Sequence, residues 1–503
     1  MWYYSTMKVA IIAINAKNIH KAVAPWCLKA YAEREGFDGE IEVVEANVNE
    51  QIIEVVGRIY RTTPNIAAFG CYIWNIEYIK KVTEIVKKLL PKVTVVFGGP
   101  EIAERQDGEI ADYIIQGAGE RPFFELLMSL RKGAANQSCN EDTANEIASS
   151  ASTQEIFADY PTPYTDDYFK SFATDQISDI ANRLVYYESS RGCPFVCSYC
   201  LSSVKSGTPK TASNVQNPNN LQCGKQSDLG ITSSVTCVSL TRVKRDIVMF
   251  LAHGAKCVKF VDRTFNADKT RAKEILIFLG ELETDCVFHF EVVADLFDAE
   301  LLKIIYKLPH GRVQFEIGIQ STNPRTLTAI DRKTNIPLAL KNVKKLVDFG
   351  NCHIHVDLIA GLPFETIESF AKGFDKCIEA QPHHLQLGFL KLLKGTKLRQ
   401  DAGKYGIVYA GFPPYEVYKT KTMSYDDIML LKKVEGVVKR FWNKGDFKNI
   451  IDQGIDKVGS ALVFFYGLAN YIESQNKFGG GADVRISMKN AEIVLNKYVD
   501  SLN

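Results

Sequence analysis

Cys193, Cys197 and Cys200, inside Arg191-Gly-Cys-Pro-Phe-Val-Cys-Ser-Tyr-Cys, put three thiols on one short loop in a C-x3-C-x2-C spacing. Thiolates are soft donors that select iron–sulfur clusters or zinc. A structural zinc site and a closed cubane both normally take four protein ligands, so three cysteines leave one iron of a cubane open to an outside ligand. An open iron is a place for chemistry. A zinc knuckle completed by a distant residue, or cysteines that merely pack, are the other readings of the spacing.

The elements that must position these thiols follow from the alternation of β-branched runs and helical patterns. Between Lys8 and about Leu130, five short runs, Val9–Ile14, Ile41–Val44, Ile66–Phe69, Val93–Phe97 and Tyr113–Ile115, alternate with amphipathic stretches. That pattern predicts a parallel sheet covered by helices, an α/β domain of flavodoxin-like (Rossmann-like) type over 7–131, whose ligands bind beyond the carboxyl ends of the strands. A small, polar stretch follows, and 132–182 is read as a linker. From 183 to 398 the alternation resumes in six runs, Leu184–Tyr187, Val258–Val261, Val287–Val292, Val313–Ile319, Ile354–Ile359 and Leu385–Leu390, which predict a partial (β/α)6, TIM-like barrel. The cysteine loop follows the first of them. Residues 206–234 are rich in Asn, Gln, Ser, Gly and Thr and read as a mobile insertion, and 399–503 as a mainly helical domain with runs at Tyr425–Trp442 and Val458–Glu473.

Bulk composition narrows the class. At 503 residues the chain exceeds one compact core. Its formal net charge of +1 gives no global field for nucleic acid or anionic membrane, and no nucleic-acid signature is present. Twelve cysteines are too sparse here for a disulfide scaffold, and three are clustered, which points to a reducing, cytoplasmic compartment. The start lacks the basic, apolar build of a signal peptide, and no stretch approaches the ~20 apolar residues of a membrane span.

The cysteine spacing, with the aromatic Tyr199 directly before the third cysteine, resembles the signature of the radical S-adenosylmethionine (SAM) superfamily. In that family the amino and carboxylate groups of SAM fill the vacant site of a 4Fe-4S cluster, and reductive cleavage of SAM gives a 5′-deoxyadenosyl radical that abstracts hydrogen. The resemblance extends to later strand ends: Phe260-Val-Asp262-Arg-Thr-Phe265, Phe290-Glu291, Glu316-Ile-Gly318-Ile-Gln320-Ser321 and Asp357-Leu-Ile-Ala-Gly361-Leu-Pro363. It implies SAM contacts from Tyr199, Asp262, Glu291, Glu316, Gly318, Gln320, Ser321 and Gly361, with the two glycines allowing close backbone approach.

A doubly wound domain ahead of such a core looks like the cobalamin (B12)-binding domain carried by a large branch of the superfamily. The resemblance implies cobalamin contacts from Asn18 and His20 after the first strand, Cys71 and Tyr72 after the third, Gly98 and Gly99 after the fourth, and Gly117 and Gly119 after the fifth. Asn18-x-His20-x-x-Val23 lacks the acid and the glycine of the Asp-x-His-x-x-Gly motif that supplies a cobalt ligand in some cobalamin proteins. Tyr72, Ile73 and Trp74 could press on the corrin face or could be ordinary interface aromatics.

The carboxyl-terminal segment from Ser424 resembles the helical tail of one branch of the cobalamin radical SAM proteins, a branch that supplies no substrate. The expectation is therefore a cobalamin-dependent radical SAM methyltransferase acting at an unactivated carbon of a small-molecule or peptide substrate. It would draw electrons from a donor such as flavodoxin or ferredoxin. Radical cyclisation or rearrangement, methylthiotransfer and non-catalytic cobalamin or redox sensing are the alternatives. Methylthiotransferases carry three further cysteines in their amino-terminal domain, whereas only Cys27 and Cys71 precede the linker here.

Overall fold

A computed structural model of the protein describes residues 6–102, 110–135, 157–174, 180–203, 222–223, 235–475 and 488–502. Apart from 222–223, the expected insertion over 206–234 lies outside the described residues. The chain forms two compact units, one running to Arg191 and including Val235–Val261, the other including Gly192–Ser203 and Asp262–Asn503.

In the first unit β1 (Lys8–Asn15), β2 (Glu40–Asn47), β3 (Ile66–Gly70), β4 (Thr94–Gly98) and β5 (Tyr113–Ile115) form a sheet in the order β2-β1-β3-β4-β5. All its pairs are parallel. α1 (Ala24–Arg34), α2 (Ile52–Thr62) and α3 (Ile76–Leu89) link the first four strands, and α4 (Glu120–Ala135) follows β5. Ile12, Phe69 and Val95 pack into a core with Ile79 of α3, and Val9, Ile11 and Val96 into another with Phe123 of α4. That explains the unbroken apolar run in β1: a strand covered on both faces needs no polar alternation. This is the predicted flavodoxin-like order, and the parallel pairing brings every β-to-α loop to one edge of the sheet.

The same unit holds β6 (Val185–Tyr187), α5 (Leu240–Ala252) and β7 (Cys257–Phe260), with Val258 paired in parallel to Val185. Part of the stretch read as a linker is packed rather than loose. Tyr164 and Tyr168 are buried, the first edge-on to Phe250 of α5 at 4.7 Å and the second edge-on to Trp26 of α1 at 5.6 Å. Tyr164, Tyr168, Phe169 and Phe172 offer enough apolar surface to bury, despite the polar composition just before them.

The second unit is built on β8 (Val287–Val292), β9 (Val313–Gln320), β10 (His353–Ala360) and β11 (His384–Phe389), parallel throughout. α6 (Lys269–Glu281), α7 (Ala299–Tyr306), α8 (Ile336–Phe349) and α9 (Ile367–Glu379) alternate with them. Phe288, Phe290, Phe315, Ile317, Val356 and Leu358 are buried on one face, whereas the intervening His289, Glu291, Glu316, Gly318, His355 and Asp357 are only partly buried. Period-two alternation thus separates an apolar face from a polar one. With β6 and β7, these strands complete the six expected from sequence.

The tail is helical as expected: α10 (Tyr425–Val437), α11 (Lys448–Val458), α12 (Ala461–Gln475) and α13 (Met488–Asp500). A Ser424/Asp427 capping box starts α10, and Gly459, at φ +79°, ends α11, so the single run expected from Val458 belongs to two helices. A two-stranded antiparallel pair, Val408–Tyr409 with Val417–Lys419, was not expected, since strands this short carry no periodic signal.

One pH dependence follows from the polar strand face. His384 is held down to about 4 by burial and by His355 and His353, with Lys439 acting in the same direction and Glu316 opposing. Its ring stands 4.1 Å from that of His355. The neutral imidazole is the folded form, so its contribution to stability is complete above the ordinary value of 6.5 and is lost as pH falls toward 4. Urea melts between pH 7 and pH 4.5 should show a smaller acid loss for His384→Gln than for the parent; equal losses would assign the acid sensitivity elsewhere.

Candidate functional site

The cysteine loop is shaped by its own main chain. Gly192 turns at φ +102°, the Cys200 amide donates to the Cys197 carbonyl at 3.0 Å, and the Ser203 hydroxyl reaches the carbonyls of Cys197 (2.8 Å) and Cys200 (2.6 Å). Two distant segments fix the middle of the loop: the Ser198 amide donates to Ile330 O and the Leu398 amide to Ser198 O, both at 2.9 Å. Cys197 is buried, while Cys193 and Cys200 are partly exposed, and none of the three is in a disulfide.

Burial pushes the Cys193 and Cys197 thiols up, and the neighbouring thiols add to this. The Arg332 guanidinium opposes it at Cys197, where Nη1 lies 3.8 Å from Sγ and 3.4 Å from the Tyr199 hydroxyl. Cys193 Sγ lies 3.6 Å from Thr264 Oγ1. Around the loop, Ser198 Oγ, Gln320 Oε1 and Arg332 Nε are buried with no hydrogen-bond partner. Such atoms are costly to leave unmet, at about 1–3 kcal/mol each, and suit a site that takes a polar ligand. Three soft thiols outside any disulfide, beside a cation, fit an anionic iron–sulfur core with one open iron. Among the described residues no three His, Cys, Asp or Glu side chains converge on a single-ion geometry.

The expected SAM residues fall into two settings. Glu291 and Glu316 stand directly opposite each other on β8 and β9, and Glu316 Oε2 is 3.0 Å from His289 Nε2. Gly318 precedes a register shift, and Gln320 takes φ +68°, a conformation that a side chain other than glycine adopts at a cost. The Gln320 amide folds back where a Cβ on Gly318 would stand, and the Gly318 carbonyl accepts from Arg332 Nη2. Tyr199, Gly318 and Gln320 thus gather around Arg332. Asp262 is buried at the start of the second unit.

Ser321 and Gly361 also make contacts within the protein. The Ser321 hydroxyl donates to buried Glu365, which also accepts from Ser369 and so anchors the segment that opens α9. A Cβ on Gly361 would meet Val417, Ile428 and Leu390 at 3.4–3.7 Å, an apolar setting.

The expected cobalamin residues lie on the loops at the carboxyl edge of the five-stranded sheet. Asn18 accepts from the Asn47 amide group, and His20 Nδ1 is 2.6 Å from the Tyr186 hydroxyl on β6. Burial, then Lys17 and Lys259, hold His20 below its usual value. Cys71 is fully buried, and its amide donates to Gly98 O at 2.7 Å. Gly99, at φ +107°, presses on it so closely that a Cβ would stand 2.5 Å from Cys71 O. Tyr72 stacks on half-exposed Trp74 with centroids 4.5 Å apart and planes 9° from parallel. Gly117 turns at φ +80°, and a Cβ on Gly119 would come within 3.2 Å of Leu28. A close backbone cradle with an exposed aromatic platform fits a large planar ring.

Sequence reasoning missed Asn75, Asn266 and Arg332. Asn75 is buried after β3 and stitches three loops, donating to Ile14 O and Gly70 O and accepting from the Tyr72 amide. Asn266 is buried and exchanges two hydrogen bonds with the backbone of Val293 beyond β8. No local spacing signals either.

Residues 9–127 match the B12 binding domain model, 187–377 the radical SAM superfamily model, and 403–499 a model described as a protein of unknown function (DUF4080). The chain is 26% identical over 417 residues to 2-(S-pantetheinyl)-carbapenam-3-carboxylate methyltransferase of Streptantibioticus cattleyicolor, covering 75% of this chain and 54% of that protein. It is also 26% identical over 377 residues to the cobalamin-dependent radical SAM methyltransferase TokK of Streptomyces tokunonensis, covering 68% and 50%. The chain therefore spans about half the length of the curated relatives it matches. In fold it is similar to the cobalamin-dependent radical enzyme OxsB with aqua-cobalamin bound (TM-score 0.60, 12% identity, 99% of this chain and 78% of that one). It is likewise similar to the methyltransferase TsrM from Kitasatospora setae with cobalamin and a [4Fe-4S] cluster bound (TM-score 0.58, 15% identity, 81% and 78%). The chain thus carries a B12-binding domain followed by a radical SAM domain and is homologous to cobalamin-dependent radical SAM methyltransferases.

Proposed function

We propose that the protein is a cobalamin-dependent radical SAM methyltransferase acting at an unactivated carbon of a small-molecule or peptide substrate. The observation that carries this reading is the loop of three thiols outside any disulfide, beside the partnerless Ser198 Oγ, Gln320 Oε1 and Arg332 Nε, in one chain with a B12-binding domain. Cys193, Cys197 and Cys200 would hold the cluster. Tyr199, Asp262, Glu291, Glu316, Gly318, Gln320, Ser321 and Gly361 are the proposed SAM set, of which Gln320, with its buried, unmet Oε1, is the one most clearly poised to accept from a ligand. Asn18, His20, Cys71, Tyr72, Gly98, Gly99, Gly117 and Gly119 are the proposed cobalamin set, in which Cys71 shapes the cradle and Tyr72 with Trp74 forms its platform.

When bound, these groups supply a carbon-centred radical and a methyl donor. The chain's residues orient them and hold the polar face of β8 to β10 open to a substrate with hydrogen-bonding groups. An electron donor of the flavodoxin or ferredoxin kind would feed the site. No helix among the described residues is long and apolar enough to cross a membrane.

Anaerobic turnover with metabolite extracts and methyl-labelled SAM is expected to yield 5′-deoxyadenosine, S-adenosylhomocysteine and a labelled product together. A product free of label, with 5′-deoxyadenosine still formed, would replace methyl transfer by cyclisation or rearrangement. Iron near eight rather than about four per chain would favour a second cluster and methylthiotransfer.

A further inference from the structure

Arg332 lies far from the cysteines in sequence yet is bound to their loop. Its Nη1 lies 3.8 Å from Cys197 Sγ and 3.4 Å from Tyr199 Oη, and its Nη2 donates to the Gly318 carbonyl. The remaining donor, Nε, is buried and unmet. Among the described residues the guanidinium has no carboxylate within ion-pair distance; its partners are the thiol, the phenol and the carbonyl. A cation withdrawn from water normally sits beside an anion, because desolvation of an uncompensated charge is costly.

The turn that carries Arg332 is itself fastened to the cysteine loop. Ile330 O accepts from the Ser198 amide at 2.9 Å. Asp331, at φ +54°, accepts from Lys397 Nζ at 2.9 Å, and the next residue, Leu398, donates to Ser198 O. Residues 330–332 and 397–398 therefore grip Ser198, the residue directly after Cys197, from both sides. The guanidinium is held where it is by main-chain bonds and is not a surface arginine that happens to fall near sulfur.

We propose that Arg332 is a positioning residue that donates to the Cys197 thiolate and, by its fixed positive charge, sets the reduction potential of the cluster the three cysteines hold. This rests on the reading of Cys193, Cys197 and Cys200 as cluster ligands. Each electron added to an iron–sulfur core makes it more negative, so a nearby cation and an N–H···S bond favour the reduced form and raise the potential. Lysine keeps the charge, but as a point on a flexible stem it cannot reproduce the fork that spans sulfur, phenol and carbonyl.

The test is an electron paramagnetic resonance redox titration of the reconstituted full chain without SAM, comparing wild type, Arg332→Gln and Arg332→Lys. In Arg332→Gln the reduced-to-oxidised ratio at a fixed potential is expected to fall about tenfold, equivalent to about 59 mV for a one-electron couple. Arg332→Lys should shift the same way by less. A loaded Arg332→Gln protein with the wild-type potential overturns the proposal. If that variant takes up no cluster, a wild-type potential in Arg332→Lys overturns it instead. Wild-type protein that binds no cluster defeats the underlying reading, a result separate from either of these.

Discussion

Replacing Cys197 with alanine is expected to empty the reconstituted protein of its cluster, with iron falling from about four per chain to near zero and SAM cleavage to background. Cys197 is the most enclosed of the three thiols and the one that Arg332 reaches. Two remaining cysteines cannot hold a cubane that already lacks a fourth protein ligand. The fold should survive, because the loop is fixed by the Ser198 amide and carbonyl and by Ser203, none of which involves the thiol. Removing one buried sulfur costs about 1 kcal/mol. Cys377→Ala is the matched control: this cysteine is also buried, but in packing on α9, so iron content should be unchanged. Equal iron loss in both variants, or full iron in Cys197→Ala, would remove the triplet from its proposed role.

Gly99→Ala should have the largest effect in the amino-terminal unit. The residue has φ +107°, and its Cβ would stand 2.5 Å from Cys71 O and 3.0 Å from Cys71 N. Both obstacles are main chain, and Cys71 is itself tied to Gly98, so the clash cannot be relieved by turning a side chain. A cost of about 2–4 kcal/mol in urea unfolding is expected, together with loss of corrin absorbance on gel filtration. Gly318→Ala is a useful contrast. There the nearest obstacle is the amide end of Gln320, a flexible side chain, and the expected cost is about 1 kcal/mol or less. Similar costs at the two positions would mean that the β4 loop is softer than its geometry indicates.

The legible part of this molecule was the part governed by local rules. Alternation in β8 to β10 separates Phe288, Phe315 and Val356 from His289, Glu316 and His355 because successive side chains on a strand point to opposite faces. The unbroken apolar run of β1 signalled a strand covered on both sides, and Ser424 with Asp427 signalled a helix start. Where the sequence misled, composition hid a few aromatic residues. The polar stretch after Lys132 read as a linker through 182, yet Tyr164 and Tyr168 are buried in its second half.

By itself, then, the sequence determined the order and type of the elements and the three thiols on one loop, since periodicity and close spacing act over a few residues. Only the tertiary structure decided which side chains surround those thiols and loops. Arg332 reaches Cys197 across 135 residues, Tyr186 meets His20 across 166, and Asn75 joins Ile14 across 61. These partnerships depend on how strands are ordered and which loops share an edge. Parallel pairing and the turns that follow it fix that arrangement, and no spacing in the linear chain records it.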